Sequence, residues 1–312
     1  MEDRKMPAII GSVVVGALLV SLLAFWLVGE RGRLMRSSSW RGLRASGLRS
    51  VLNFKALHMY VYGRWTDRYV KWLVNRFPRL NKRQRQRWAD HYHGKVVTHE
   101  HAQAIVDCDH DIPLQDLEQI IPYPAARDLV LKGPPDVAAY ECACRAARDN
   151  PCQPTQVCVV VGQPFVDFIL EHHPKSSSRL TQAEALELLR QEHERGHLHS
   201  AWFKDVMLDR FYAICNCCKC CCVGIETMTR YGTPMMASSG YVAHVDEDLC
   251  ATCGTCAQAC PFDALSLNET SARLDWQKCL GCGICTAKCP NDAVSLVRDE
   301  SKGEPLDVRL MS

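Results

Sequence analysis

Eight cysteines near the C-terminus fall into two runs of the same spacing, and they constrain the fold more than anything else in these 312 residues. The first run is Cys250, Cys253, Cys256 and Cys260, followed by Pro261. The second is Cys279, Cys282, Cys285 and Cys289, followed by Pro290. Each reads C-x2-C-x2-C-x3-C-P, and the second repeats the first after 29 residues. Three thiols from one tight loop, with a fourth carried off by the short helix that follows, form the spacing of a [4Fe–4S] ligand set. Zinc ribbons use two C-x2-C pairs far apart, not a triplet plus C-P given twice. A segment this small has little apolar core, so bound clusters are expected to supply its folding energy.

Each half reads as strand, ligand loop, short helix, strand. Strands are expected at residues 241–245 and 273–275 before the loops, and at 265–267 and 294–296 after them. Gly254, Gly281 and Gly283 lie between ligands, where the backbone must turn and offer N–H groups to sulfur. With all eight ligands and both prolines in place, residues 240–298 resemble the bacterial two-cluster ferredoxin family. The resemblance implies an exchange of fourth ligands. Cys250, Cys253, Cys256 and Cys289 would hold one cluster, and Cys279, Cys282, Cys285 and Cys260 the other. It also implies transfer of single electrons between two closely spaced clusters.

Ten further cysteines stand upstream: Cys142, Cys144, Cys152, Cys158, Cys215, Cys217, Cys218, Cys220, Cys221 and Cys222. A thiolate cluster this dense repels itself unless metal neutralises it. One or two more [4Fe–4S] centres, a non-cubane cluster, zinc and redox-active thiols are the options, and the adjacent ferredoxin pattern favours iron–sulfur. Side chains of neighbouring residues diverge, so Cys220, Cys221 and Cys222 do not easily share one metal. The C-x-C-R and C-N-C-C-x-C-C-C patterns, at residues 142–145 and 215–222, resemble a group of largely uncharacterised anaerobe-type iron–sulfur proteins. Cys108 reads as an ordinary thiol. His172, His173, His193, His197 and His199 read first as solvated or core histidines, with ligation or proton transfer as the alternative. Arg145 is a candidate hydrogen-bond donor to a cluster sulfur. A helix opened by a Thr181–Glu184 capping box is ended by Gly196, and Thr98 marks another helix start.

The N-terminal third reads differently. Residues 7–29 are uncharged and long enough for a membrane-spanning helix, with Phe25 and Trp26 as interfacial anchors. Six arginines follow directly: Arg31, Arg33, Arg36, Arg41, Arg44 and Arg49. They predict a cytoplasmic C-terminal side and an N-terminus outside. Reduced iron–sulfur ligands point to the same side. Residues 30–95 carry seventeen Lys/Arg against three acids, whereas residues 240–312 carry eleven acids against six bases. The basic aromatic stretch 51–78 is expected to form an interfacial helix on anionic lipid, or else a surface helix packed on the body. Nucleic-acid binding by Lys82, Arg83, Arg85 and Arg87 is disfavoured beside a membrane segment.

The expected architecture is α+β. It comprises a transmembrane anchor (1–30), a basic amphipathic helical region (31–95), a mixed α/β cysteine-rich metal-binding domain (96–237), a ferredoxin-like 2[4Fe–4S] domain (238–300) and a tail (301–312). The expected function is a membrane-anchored electron carrier between a cytoplasmic donor protein and a membrane or quinone-linked acceptor, with membrane lipid as a further contact. The alternatives are a reductase with its catalytic metal site within residues 142–222, and a redox sensor or cluster-assembly factor. There is no Walker loop, Rossmann fingerprint or C-x-x-C-H haem site in the sequence.

Overall fold

Short runs of Val, Ala, Ile and aromatic residues in the middle of the chain alternate with capped helices, and the computed structural model assembles them into one seven-stranded sheet. Residues 5–311 are described, with side chains from residue 13. The expected N-terminus outside the membrane concerns residues 1–4, which lie outside the described ones.

Five helices come first: α1 (Lys5–Gly29), α2 (Ser37–Leu52), α3 (Lys55–Arg64), α4 (Thr66–Arg76) and α5 (Lys82–His91). Among the described residues no helix is long and apolar enough to cross a membrane. This corrects the expected anchor over residues 7–29, and with it the single-pass placement in a cell membrane. The expected interfacial anchors are also engaged with protein. Phe25 stacks on Trp65 at 4.9 Å, and Trp26 stacks on Tyr60 at 4.9 Å. Trp26 Nε1 further donates to Leu34 O.

Directly after α1, Glu30 is fully buried, accepting hydrogen bonds from the Arg36 backbone and from Ser39 Oγ. The stretch expected as one helix is two, broken at Trp65, where φ −131° and ψ 43° leave the helical region. Their apolar side chains Tyr60, Tyr62, Val70 and Leu73 are buried. Lys204 from the sheet is enclosed by the rings of Tyr62, Tyr69, Trp88 and Tyr92, at 4.8–5.8 Å, so the aromatic residues grip a buried cation. Burial pulls its ammonium down to about 8.

Along the middle of the chain run β1 (Tyr92–Val97), α6 (His99–Val106), β2 (Ile112–Leu114), β3 (Leu129–Leu131), β4 (Val137–Glu141), α7 (Ala143–Ala146) and β5 (Gln156–Val161). Then come α8 (Phe165–His172), β6 (Ser177–Leu180), α9 (Gln182–Glu194), β7 (Leu198–Lys204), β8 (Arg210–Cys217), α10 (Val223–Tyr231) and β9 (Met236–Ala237). The sheet order is β6-β4-β5-β8-β7-β1-β9. Every pair is antiparallel except β1 with β9. Strand β5 is buried almost throughout, which is why it reads as a continuous apolar run rather than an alternating one, and β7 is buried along its whole length although it carries His199, Ser200 and Lys204. Thr98 caps α6 by accepting from His101 N, and Thr181 and Glu184 form the expected capping box on α9. Ala185 and Leu189 face α9 into the core.

The remaining strands belong to the C-terminal repeat: β10 (Tyr241–Val245), α11 (Thr255–Ala259), β11 (Leu265–Leu267), β12 (Ala272–Leu274), α12 (Ile284–Ala287) and β13 (Val294–Arg298). β10 pairs with β13 and β11 with β12, both antiparallel, so the two halves interlock. The segment expected as a tail is part of the body. Leu306 and Val308 are buried, Lys95 Nζ donates to Glu304 O at 2.6 Å, and Arg309 pairs with Glu100.

Candidate metal centres

The two ligand loops turn on glycines. Gly254, Gly281 and Gly283 all have positive φ, +78°, +63° and +80°, which side chains rarely tolerate. At Gly281 a Cβ would lie 2.1 Å from Tyr241 O, so the second loop is pressed against β10 as well. After each C-P step a backbone N–H points back at the last cysteine. Ala264 N donates to Cys260 Sγ at 3.3 Å and Ala293 N to Cys289 Sγ at 3.3 Å. The two halves therefore repeat in structure as they do in sequence.

The fold brings Cys260 across to the second run. One cavity is lined by Cys260, Cys279, Cys282 and Cys285 among Ala243, Leu265, Leu274 and Leu296. Burial first, and then the neighbouring thiols Cys285, Cys260 and Cys279, push Cys282 well above its ordinary value. Cys256 is raised by burial and feels Cys250 and Cys289 in the same way. Four sulfurs facing a small apolar space, with backbone N–H groups aimed at sulfur, suit a cubane, which needs four thiolates and hydrogen bonds that offset their charge. Cys253 is exposed and Cys250 half-buried, so the first set lies nearer solvent than the second.

All ten upstream cysteines come together at one end of the sheet, where β4 runs into α7, β8 runs into the loop 218–222, and α10 begins. All nineteen cysteines are free thiols, so the crowding is not relieved by disulfides. In strand β8 the pleat sends Cys215 and Cys217 to one face and Asn216 to the other. Cys142 caps α7 and Cys144 lies within it. Cys222 occupies the N-cap position of α10, where the helix dipole favours negative sulfur.

Six of these sulfurs form a ring around one cavity, each next to two others: Cys142 beside Cys158 and Cys144, Cys215 beside Cys158 and Cys217, and Cys222 beside Cys217 and Cys144, with Cys218 at the cavity's edge. Hydrogen bonding to the next thiol and burial hold Cys142, Cys158 and Cys215 well above the ordinary thiol value. Hydrogen bonds from Cys215 and Cys222 pull Cys217 down to about 6. Ser200 Oγ lies 3.4 Å from the same sulfur. Without metal, then, the ring favours one thiolate stabilised by its neighbours. The ring borders a largely apolar cavity that continues past Tyr62, Tyr140 and Trp202.

The other four cysteines gather separately, Cys218 and Cys221 buried, Cys152 half-buried and Cys220 exposed. Cys152, Cys218 and Cys220 have sulfurs within 4.8 Å of one another. Cys221 Sγ is 3.5 Å from Cys220 Sγ and accepts from Cys152 N at 3.4 Å. Within the triplet 220–222 the sulfurs of Cys220 and Cys221 face each other, whereas Cys222 lines the cavity of the ring.

Arg145 stands between the sets and is fully buried. Its guanidinium donates to Pro154 O, Asn216 O and Glu192 Oε2, while Nε is buried with no partner. An orphaned donor beside crowded sulfurs is what an added acceptor would satisfy. Burial alone would raise Glu192, but the hydrogen bond from His197 and the Arg145 guanidinium hold it below its ordinary value. His197 joins Glu192 at 2.7 Å through Nδ1 to Cys152 Sγ at 3.8 Å through Nε2.

Sequence reasoning missed Glu192 and Asn216. Asn216 could have been found from the C-N-C pattern read as a strand. Its Nδ2 donates to Val157 O at 2.6 Å, so its Oδ1 must accept from His199 Nδ1–H at 2.6 Å. Burial pulls His199 down to about 3, so it is neutral. His99, His193 and His199 stack together behind Asn216. His172 packs instead on Tyr60 and Phe168, and His173 Nε2 donates to Gly63 O. Cys108 is buried away from the other sulfurs and donates to His110 O at 3.2 Å.

Two contacts join the thiol-rich end to the C-terminal repeat. Lys219, between Cys218 and Cys220, pairs with Asp263 at 2.6 Å, three residues after Cys260. Lys288 Nζ, beside Cys289, donates to Glu194 O at the end of α9.

No curated protein matches the chain. Residues 243–296 match the family model of the 4Fe-4S dicluster domain, so the C-terminal region is a dicluster domain of the ferredoxin kind, and iron–sulfur electron transfer is its chemistry.

Proposed function

We propose that the protein is an electron relay in which the dicluster domain feeds, or drains, a second iron–sulfur centre at the thiol-rich end of the sheet. The observation that carries this reading is the Lys219–Asp263 pair, which draws the loop of Cys218, Cys220 and Cys221 toward Cys260. When bound, the clusters supply one-electron storage at low potential. The residues do the rest. Cys253 is exposed beside the acidic Asp246, Glu247 and Asp248, a rim suited to a partner protein with a basic docking patch. Thr252 Oγ1 donates to Thr270 O, which holds the Glu269 turn beside that rim. Cys260, Cys279, Cys282 and Cys285 lie deeper, behind apolar side chains that exclude water. A reduced partner loses one electron at the rim, and an oxidised acceptor gains one after the upstream site.

The test is electron paramagnetic resonance on the full chain during stepwise reduction, with iron counted per chain. More than about eight irons, and signals beyond the two of a dicluster domain, are expected. A protein with no reducible cluster would sink the reading. The cavity beyond the ring favours a second reading, a reductase whose substrate enters past Tyr62 and Tyr140. A small substrate that shifts the upstream signal and leaves the dicluster signals unmoved would select it.

A further inference from the structure

The ten upstream cysteines are not one constellation. We infer that they form two separate metal sites: Cys152, Cys218, Cys220 and Cys221 hold a single four-iron cluster near the surface, and Cys142, Cys144, Cys158, Cys215, Cys217 and Cys222 hold a larger iron–sulfur assembly inside. The inference rests on the reading above for the identity of the metal, and on geometry for the division.

Connectivity makes the first argument. The six inner sulfurs line one cavity together, with Cys218 at its edge. The outer sulfurs gather on their own: Cys152, Cys218 and Cys220 lie within 4.8 Å of one another, and Cys221 is 3.5 Å from Cys220. Exposure makes the second. Cys220 of the outer set is exposed and none of the ring cysteines is, although Cys218 and Cys221 of the outer set are buried and Cys144 and Cys215 of the ring are half-buried.

A charged wall makes the third. The Arg145 guanidinium acts electrostatically on Cys218 of the outer set and on Cys142 of the ring. Arg148 acts likewise on Cys144 and Cys221, and it donates to Cys221 O. Each cation is also paired with a carboxylate, Arg145 with Glu192 and Arg148 with Glu226, so the wall is a pair of ion pairs set between the two groups of sulfurs. The unpartnered Arg145 Nε adds a donor that a sulfide could use.

Ligand number makes the fourth. Four thiolates complete one cubane. Six exceed its four terminal positions, so the ring calls for more iron than one cubane holds. The outer set, next to Asp263 of the dicluster domain through Lys219, then becomes the step between that domain and the ring. His197, held at Nδ1 by Glu192, brings Nε2 to 3.8 Å from Cys152 Sγ and so orients one ligand of that step.

Iron, sulfide and zinc are measured per chain on the anaerobically reconstituted full-length protein, with Mössbauer and paramagnetic resonance spectra. The Cys152→Ser/Cys220→Ser variant alters exposed and half-buried positions. It is expected to lose about four irons and one cluster signal, and to keep both the dicluster signals and the remaining upstream iron. The Cys158→Ser/Cys215→Ser variant is expected to lose that remaining iron and keep the outer cluster. Loss of all upstream iron from the first variant, with a native circular dichroism spectrum, overturns the division, and this arm decides even if the second variant fails to fold. A wild-type count of about eight irons without other metal overturns both upstream sites but leaves the dicluster domain standing. A count well below that overturns the dicluster reading itself.

Discussion

The dicluster domain and the thiol-rich end of the sheet use the same side chain to opposite effect. In the dicluster domain, three ligands of each set come from one loop of seven residues, and metal organises a segment with few apolar side chains of its own. In the upstream region the ligands come from β4, α7, β5, β8 and α10, and a buried sheet organises the sulfurs. One region is folded by its metal. The other is folded for it. The difference teaches that ligand density says little about which partner, protein or metal, carries the cost of crowding thiolates.

The sharpest way to break this comparison is to strip iron under anaerobic conditions. Residues 240–298 are expected to lose hydrogen-exchange protection, since structural metal sites contribute on the order of 10 kcal/mol to folding. Strands β5 and β7 are expected to keep theirs. Equal protection in both regions would erase the distinction.

A second test probes the scaffold side. Arg145→Leu leaves Glu192 buried without its guanidinium partner, and Arg145 and Glu192 pair at 2.9 Å in a site closed to water. Unfolding in urea should show a loss of about 3–5 kcal/mol. A loss below about 1 kcal/mol would mean that the wall between the two thiol sets relaxes freely.

A third concerns acid. Burial holds His172 down to about 4, below the 6.5 it has when exposed, and it sits beside buried Glu30 and Ser39. The unfolded chain therefore takes up this proton first. The contribution of a neutral His172 is complete above pH 6.5 and declines as pH falls from there toward 4. The docking of α2 on α8 should loosen over that window, read as protease sensitivity near residue 37. His172→Asn should flatten the dependence; an unchanged slope would assign the effect elsewhere.

The smallest effect is expected at the junction. Lys219→Ala removes an exposed ion pair worth about 0–1 kcal/mol, so the thermal midpoint should barely move. Transfer between the dicluster signals and the upstream signal should slow at low ionic strength, and the difference from wild type should shrink at high salt. A variant that transfers electrons at the wild-type rate in both would remove this contact from the route.

How much of this was legible follows the same division. The dicluster loops were readable because spacing along the chain is itself the geometry of the site. Gly254, Gly281 and Gly283 marked the turns, and Thr98, Thr181 and Glu184 marked helix starts by local hydrogen bonds. The grouping of Cys142, Cys158 and Cys215 was not readable, because it depends on register: Tyr140 faces Cys158, and β5 lies against β8. Glu192 and Asn216 act through partners 47 and 17 residues away, which no local pattern reveals. The apolar N-terminal run misled for a related reason. Hydropathy does not record what a side chain packs on: Phe25 stacks on Trp65 while staying more than half exposed, and Trp26 stacks on Tyr60.

Asn216 has one more consequence. Its amide is held at both ends, by Val157 on one neighbouring strand and His199 on the other, and the cysteines on either side of it are ring members. Those two sulfurs cannot shift without breaking hydrogen bonds across three strands. A centre whose ligands stay still when its charge changes has a small reorganisation energy, and it can exchange electrons quickly even when the driving force is slight. The stiffness of a core strand, set by packing, thereby becomes a kinetic property of the site.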